Sequence, residues 1–191
     1  MSTNAPTSKP KLDRRIQRTR EQLGAALVEL IQQKPFDSIT VQDVLDRANI
    51  GRSTFYTHFR DKNDLFLSDI DDFMAHTATV LSRQSPESER VAPVKELFAH
   101  VAEMRPFYTA MIASGKLHDV LEIAQEHFAR GIEQRLAEIP RARTIPAAER
   151  GAIAHAHAGA LLSVMTWWLD RNSTSTPAEM DALFHRIVWG S

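Results

Sequence analysis

Between Gly51 and Lys62 the chain reads GRSTFYTHFRDK, a run in which short hydroxyl side chains alternate with aromatic and basic ones. Ser53, Thr54, Tyr56 and Thr57 can donate and accept hydrogen bonds, while Arg52, His58, Arg60 and Lys62 can meet anions. Hydroxyls flanked by cations suit a nucleic-acid surface, where cations meet phosphate and short polar groups meet base edges. No catalytic arrangement competes with this reading. His155 and His157 are about 200° apart around a helix, so one metal cannot take both from one face. His76, His100, His118, His127 and His185 fall on different segments. No serine, histidine and acid set and no glycine-rich phosphate loop can be singled out. Neither a metal, a cofactor nor an enzymatic activity is expected.

Those polar residues need elements to hold them. At about 100° per residue, Phe55 and Phe59 share one face of a helix over Arg52 to Phe59. Ser53, Thr57 and Arg60 fall opposite, with Thr54 and Tyr56 on the flanks. A helix so short does not stand alone in water, so the two phenylalanines must anchor it. The helix before it starts at Thr40, which can cap while Asp43 reaches back, and it turns Val44 and Leu45 inward. It ends at Ala48-Asn49-Ile50-Gly51, where Asn49 and Gly51 are the residue types that accept a left-handed or tight corner. Two helices joined in this way, the second with a small polar face beside basic residues, match a DNA-binding helix-turn-helix. The plainer reading, a hairpin that merely packs, gives no reason for so short a second helix.

The stretch resembles the N-terminal domain of TetR/AcrR-type transcriptional regulators. The resemblance is carried by Thr54-Phe55-Tyr56-Thr57-His58-Phe59, then Lys62 and the Asp64-Leu65 pair. Asn49 stands where that family has a turn glycine, Gly51 where it has a serine cap, and Ser53 where it has a small glycine. Asn also tolerates positive φ, and the other two alter the DNA-facing edge. The set expected to face DNA is Arg14, Thr40, Val41, Gly51, Arg52, Ser53, Thr54, Tyr56, Thr57, His58 and Lys62. The resemblance implies an all-α protein with an N-terminal three-helix DNA-binding head, joined by a long connector helix to a helical ligand-binding and dimerisation body. It also implies a homodimer that represses by binding a palindromic operator and is released by a small apolar or amphipathic effector. Two rivals remain: a helical interaction or adaptor protein, and a constitutive DNA-binding protein without an effector.

Composition agrees with an ordinary globular chain: 191 residues, 25% charged and 43% hydrophobic. The absence of cysteine excludes disulfides and thiolate metal sites and suits a reducing cytoplasm, the expected location. The longest apolar run, Ala158 to Leu169, has 12 residues, short of the roughly 20 that span a bilayer, and the N-terminus lacks an apolar core of signal-peptide type. A net charge of −1 conceals an asymmetry: residues 1–62 hold 11 Lys and Arg against 7 Asp and Glu, and the remainder 12 against 17. The basic side carries the helix-turn-helix. Residues 1–20 contain six basic side chains opposed only by Asp13, an electrostatic footprint for phosphate.

Taken in order, the sequence predicts a flexible basic arm over residues 1–11, a DNA-binding domain over 12–72 and a ligand-binding and dimerisation domain over 73–191. Helix one is expected from Leu12 to Gln33, with Ile16, Leu23, Ala26, Leu27, Leu30 and Ile31 inward. A connector helix is expected from an Asp61 cap to Ser82, and a loop from Arg83 to Val91. Prolines that open helices predict helices over Val94–Met104, Pro106–Ala113, Leu117–Ile139, Pro146–Asp170 and Pro177–Trp189, the last capped by Thr176 and Glu179. Phe73, Phe107, Met111, His127, Met165 and Trp168 are the candidate effector pocket, apolar walls with one polar anchor. Ala156 and Ala160 on one late helix, with Met180, Leu183, Phe184 and Ile187 on the next, are the candidate dimer interface.

Overall fold

The computed structural model describes residues 9–79, 88–171 and 173–190, with side chains at 14–77, 88–171 and 173–190. Among them are nine α-helices, two 3-10 turns and no strand: α1 (Lys9–Ile31), a turn (Phe36–Ser38), α2 (Val41–Ala48), α3 (Arg52–His58), α4 (Lys62–Thr79), α5 (Val94–Glu103), α6 (Arg105–Ala113), α7 (Leu117–Glu138), a turn (Pro140–Thr144), α8 (Ala147–Asp170) and α9 (Pro177–Trp189). The class is all-α, as the periodicity predicts. α1 begins at Lys9 rather than Leu12. Residues 1–8 of the expected arm, 80–82 of the expected connector helix, and 83–87 of the expected loop lie outside the described residues. The chain divides into two compact units, Met1–Asp69 and Ile70–Ser191, and α4 belongs in part to each.

In the first unit α1 buries Leu23, Ala26, Leu27, Leu30 and Ile31, the i, i+3, i+4 stripe, whereas Ile16 is turned outward. α2 starts with the capping box the sequence predicts: the Thr40 hydroxyl accepts from the Asp43 N–H at 3.1 Å, and the Asp43 carboxylate accepts from the Thr40 N–H at 2.7 Å. Lys34 stands 2.9 Å from the same carboxylate, and its hydrogen bond, with those from Thr40, holds that acid far below the usual carboxylate range. The corner after α2 belongs to Asn49 alone, at φ 53 and ψ 46. Gly51 sits at φ −70 and ψ 147, an ordinary extended N-cap, and a Cβ added there meets nothing within 4 Å. The expectation that both residues supply special backbone is therefore corrected: glycine at 51 is not required by conformation.

The second unit is built on α7 and α8, its most extensive helix pair. Gly151 and Gly159 face Glu133 and Gln125, where an added Cβ would lie 3.6 Å from either side chain, an ordinary van der Waals contact, so the closeness of the pair does not depend on glycine there. α9 packs mainly on α5, burying Met180 and Phe184. Pro93 and Pro146 stand at N-cap positions rather than inside α5 and α8, while Pro177 opens α9 beneath a Thr176–Glu179 capping box.

Residues 88–91, just before α5, form a strap tied at every residue. Arg135, 2% exposed, donates to the Ser88 and Arg90 carbonyls at 2.5 and 3.1 Å. The Trp189 indole N–H donates to the Glu89 carbonyl at 3.1 Å, and Arg141 pairs with the Glu89 carboxylate at 2.9 Å. Arg90 reaches Glu96 and Asp181 at 2.6 and 2.9 Å. The Val91 N–H donates to His185 Nε2 at 3.0 Å. That last bond fixes a tautomer: Nε2 keeps its lone pair, and Nδ1 carries the proton that goes to the Asp181 carbonyl at 2.8 Å.

Two predictions follow from these details. A β-branched residue pays for positive φ, so Asn49→Val lowers the melting temperature by the equivalent of about 1–2 kcal/mol, while Asn49→Gly leaves it nearly unchanged; Gly51→Ser raises it slightly by adding a cap. The second concerns pH. Burial pushes the His185, His100 and His157 imidazoles below their ordinary value of 6.5, the Asp181 and Glu96 carboxylates pulling against this at His185 and Arg90 acting with it. The unfolded chain then binds protons that the folded chain refuses, so stability is full above 6.5 and falls as pH drops through the window below it. Melting followed by circular dichroism should show this fall at pH values above those that titrate the carboxylates, and His185→Gln should make it shallower.

Candidate nucleic-acid interface

α3 is a seven-residue helix with two opposite faces. Phe55 and Phe59 are 0% and 4% exposed, their rings 5.8 Å apart. Ser53, Thr54, Tyr56 and Thr57 are all exposed on the other side. Tyr56 is held upright: its ring meets Phe55 edge-on at 5.3 Å, and the Arg52 guanidinium lies 6.0 Å from the ring centre. Arg52 also donates to the Gln42 side-chain oxygen at 3.3 Å, joining α2 to α3 on the solvent side. The Thr57 hydroxyl donates back to the Ser53 carbonyl at 2.9 Å, which leaves its oxygen as an acceptor. Thr40 and Gly51 are exposed, and Val41 and His58 are half-buried beside them.

α1 contributes a second wall. Arg15, Ile16 and Thr19 share an open cleft of about 330 Å³ with Ser53, Thr54, Thr57 and His58. Arg15 and Arg18 are exposed and have no side-chain partner among the described residues. Most other cations of this unit are engaged: Arg47 with Glu29 at 2.9 Å, Arg60 with Asp64 at 3.0 Å, and Arg20 with Ser68 at 2.5 Å and the Phe59 ring face at 5.0 Å. Arg60 beside Asp64 holds that carboxyl below its usual range. The exposed charge of Arg15 and Arg18 thus lies on α1, with Arg15 beside the hydroxyl face.

Lys62 departs from expectation. Its ammonium donates to the carbonyls of Phe36, Asp37 and Ile39 at 2.8, 3.0 and 2.7 Å, so all three of its N–H donors are engaged. A phosphate contact would have to break one of these bonds. Reasoning from sequence passes over Gln42, which steadies Arg52, whereas it offers Arg14, Arg15 and Arg18 together as arginines that could reach the DNA backbone. Arg15 lies one turn before Thr19, and that spacing was visible; no local signal marks Gln42.

In the second unit the candidate residues separate. Met180 and Phe184 are 2% and 0% exposed, committed to the protomer's own core, which corrects their assignment to a dimer surface; a stripe that broad faces two ways. Ala156 and Ile187 are exposed, and Ala160 and Leu183 half-buried. Trp167, one turn beyond Ser163 on the Ala156–Ala160 face, is 49% exposed; its residue type suggests a cavity wall from sequence, not a dimer surface. Of the six pocket candidates, Phe107, Met111, Met165 and Trp168 are buried. Phe73 stacks on His100 at 4.3 Å, which meets Tyr108 and then Phe107 in a chain of rings; Trp168 packs against Phe98 under the Arg105 guanidinium. His127 bridges to Asp71 at 2.7 Å and to Arg130 at 3.2 Å. None of the six lines the open groove of about 610 Å³ between α7 and α8, formed by His118, Leu121, Glu122, Gln125, Glu126, Leu162, Ser163 and Thr166.

Comparison with known proteins agrees with this architecture. Residues 23–68 match the family model of bacterial regulatory proteins of the tetR family, and residues 93–190 match that of a transcriptional regulator C-terminal region. An uncharacterized HTH-type transcriptional regulator of Bacillus subtilis, YxbF, is 39% identical over 56 residues, 29% of this chain and 15% of its own. Another, from the lacX 3' region of Lactococcus lactis, is 24% identical over 132 residues, 66% of each chain. This chain thus spans less than two thirds of either relative. Among solved structures, a TetR transcriptional regulator of Streptococcus agalactiae 2603V superposes with a TM-score of 0.64 at 22% identity over 95% of this chain and 99% of its own. The dihydroxyacetone kinase operon activator DhaS gives 0.64 at 17% identity over 90% and 94%. At such identities the structures establish a shared fold. No helix of the described residues is long and apolar enough to cross a membrane. With both halves matched, the chain belongs to the TetR family of bacterial transcriptional regulators.

Proposed function

We propose that this regulator acts as a homodimer that binds a two-fold symmetric operator through the exposed face of α3 and represses transcription by occupying it. One observation carries the reading: a short helix anchored by Phe55 and Phe59 keeps four hydroxyl-bearing residues in solvent beside Arg15 and Arg18 of α1, which have no side-chain partner among the described residues. In this reading Ser53, Thr54, Tyr56 and Thr57 meet base edges. Arg14, Arg15, Arg18 and Arg52 meet the backbone, with the Thr40, Val41, Gly51 and His58 region closing the flank. The experiment is a titration of the chain with duplexes selected from a random pool, repeated across salt concentrations. Phosphate neutralisation gives a steep salt dependence, which docking of an adaptor to a protein partner does not require.

The dimer is proposed to form on the exposed faces of α8 and α9. Ala156, Ala160 and Trp167 lie on one face of α8, while Leu183 and Ile187 occupy neighbouring turns of α9. A symmetric interface buries each residue twice. The effector is proposed to be a small apolar or amphipathic molecule, and the α7–α8 groove offers a suitable volume, since ligand sites run from about 300 to 1,000 Å³. Leu121 and Leu162 supply its apolar floor. To release DNA the effector must prefer the conformation that cannot bind it, because equal affinity for both shifts nothing. Unchanged operator affinity across a broad effector panel would favour the constitutive alternative.

Two variants test the first two proposals. Thr57→Glu places bulk and negative charge on the exposed face and should abolish operator binding while leaving helicity intact; retained binding at moderate salt refutes the α3 assignment. The double variant Trp167→Glu with Ile187→Glu should sediment as a monomer, since it puts four like charges into one symmetric contact. An unchanged dimer would move the interface elsewhere.

A further inference from the structure

Lys62 is the first residue of α4, and the three carbonyls it binds close the Phe36–Ser38 turn, one residue before the Thr40 cap of α2. The ring of Phe36, 1% exposed, lies 4.8 Å beneath the ammonium and packs on Phe66 of α4 at 5.3 Å. The first turn of α4 therefore grips the point where the chain enters α2. It also grips the point where the chain leaves α3. Asp61 accepts from the N–H groups of Asn63 and Asp64 at 2.8 and 2.9 Å, and Asp64 accepts from the Arg60 backbone and guanidinium at 2.9 and 3.0 Å.

We infer that Lys62 is a positioning residue that locks α2 and α3 to α4 as one body, and that it is not a phosphate contact. α2 packs on α1, and Lys62 adds a tie from α4 to the entry of α2 beside the one at the exit of α3. Held at both ends, the helix pair is fixed to the first turn of α4 as well as to α1, so loss of the lysine would loosen the orientation of α3 on DNA. Arg15 and Arg18 then carry phosphate charge that the signature position of Lys62 would suggest belongs to the lysine. The inference rests on the DNA reading above, which binding by the unaltered chain tests separately.

The test uses the full chain with selected operator and unrelated duplex over a range of salt. Lys62→Met and Lys62→Arg should both lose about tenfold or more in operator affinity, within the span of typical coupling effects, with less loss on unrelated duplex. The slope of log affinity against log salt should stay that of the unaltered chain. Arginine fails here because a planar fork cannot converge its donors on three carbonyls. Arg15→Ala, the comparison, should lower the slope by about 0.9, one phosphate. If Lys62→Arg retains operator affinity and Lys62→Met lowers the slope by about 0.9, the lysine touches phosphate and the inference is overturned. Should both variants fail to fold, the ammonium of the unaltered chain decides by nitrogen NMR. A protected Nζ signal in the free protein that operator does not move supports the carbonyl lock; a signal protected only after operator is added overturns it.

Discussion

Everything this chain does at its proposed DNA surface depends on the burial of two aromatic rings. A helix of seven residues has lost the entropy of its nucleus and gained too few hydrogen bonds to recover it. Phe55 and Phe59 supply what the backbone cannot. Because they occupy one side of α3 completely, the remaining positions are released from packing and can be chosen for their polar groups. The adjoining parts serve the same constraint: Asn49 turns the chain so that α3 begins at once, the Arg52–Gln42 bond spans the outer side of the corner, and Arg20 rests on the Phe59 ring from α1.

The electrostatics show how little can be read from a count of charges. The first 62 residues are strongly basic, yet much of that charge is balanced within the fold by Glu29, Asp43 and Asp64. Exposed pairs of this kind add little stability, but they determine which arginines are left over. Among the described residues, Arg15 and Arg18 on α1 have no side-chain partner and Arg52 on α3 meets the neutral Gln42, so the positive charge offered outward is smaller than the composition implies. In the second unit the same chemistry is turned inward: Arg135 is spent on backbone carbonyls of the strap, where an unpaired guanidinium would be costly to bury.

Helices were largely legible because their ends carry local signals. Thr40 with Asp43 and Thr176 with Glu179 announce capping boxes, and both form. Phe55 and Phe59, four apart, announce an anchored face. Partners distant along the chain were not legible. Nothing in the residue type of Lys62 reveals that its acceptors are main-chain carbonyls 23 to 26 positions earlier, since every residue presents a main-chain carbonyl. Periodicity likewise identifies an apolar stripe on α9 without saying which edge meets α5. Hence Phe184, in the core, and Ile187, in solvent, looked equivalent. Phe107 and Trp168 of the candidate pocket are buried, and composition does not distinguish a lined space from a filled one.

The distribution of aromatic chromophores gives the two units separate optical identities. All three tryptophans, Trp167, Trp168 and Trp189, belong to the second unit, and the first has Tyr56 as its single tyrosine. Long-wavelength excitation therefore reports on the second unit alone, with a half-exposed indole on α8, a buried one under Arg105, and a third clamped to the strap. Tyr56, standing on the face of α3, shares its absorption range with Tyr108 of the second unit. Tryptophan emission thus reads the second half of the molecule in an unlabelled sample, and replacing Tyr108 would leave Tyr56 as the sole tyrosine.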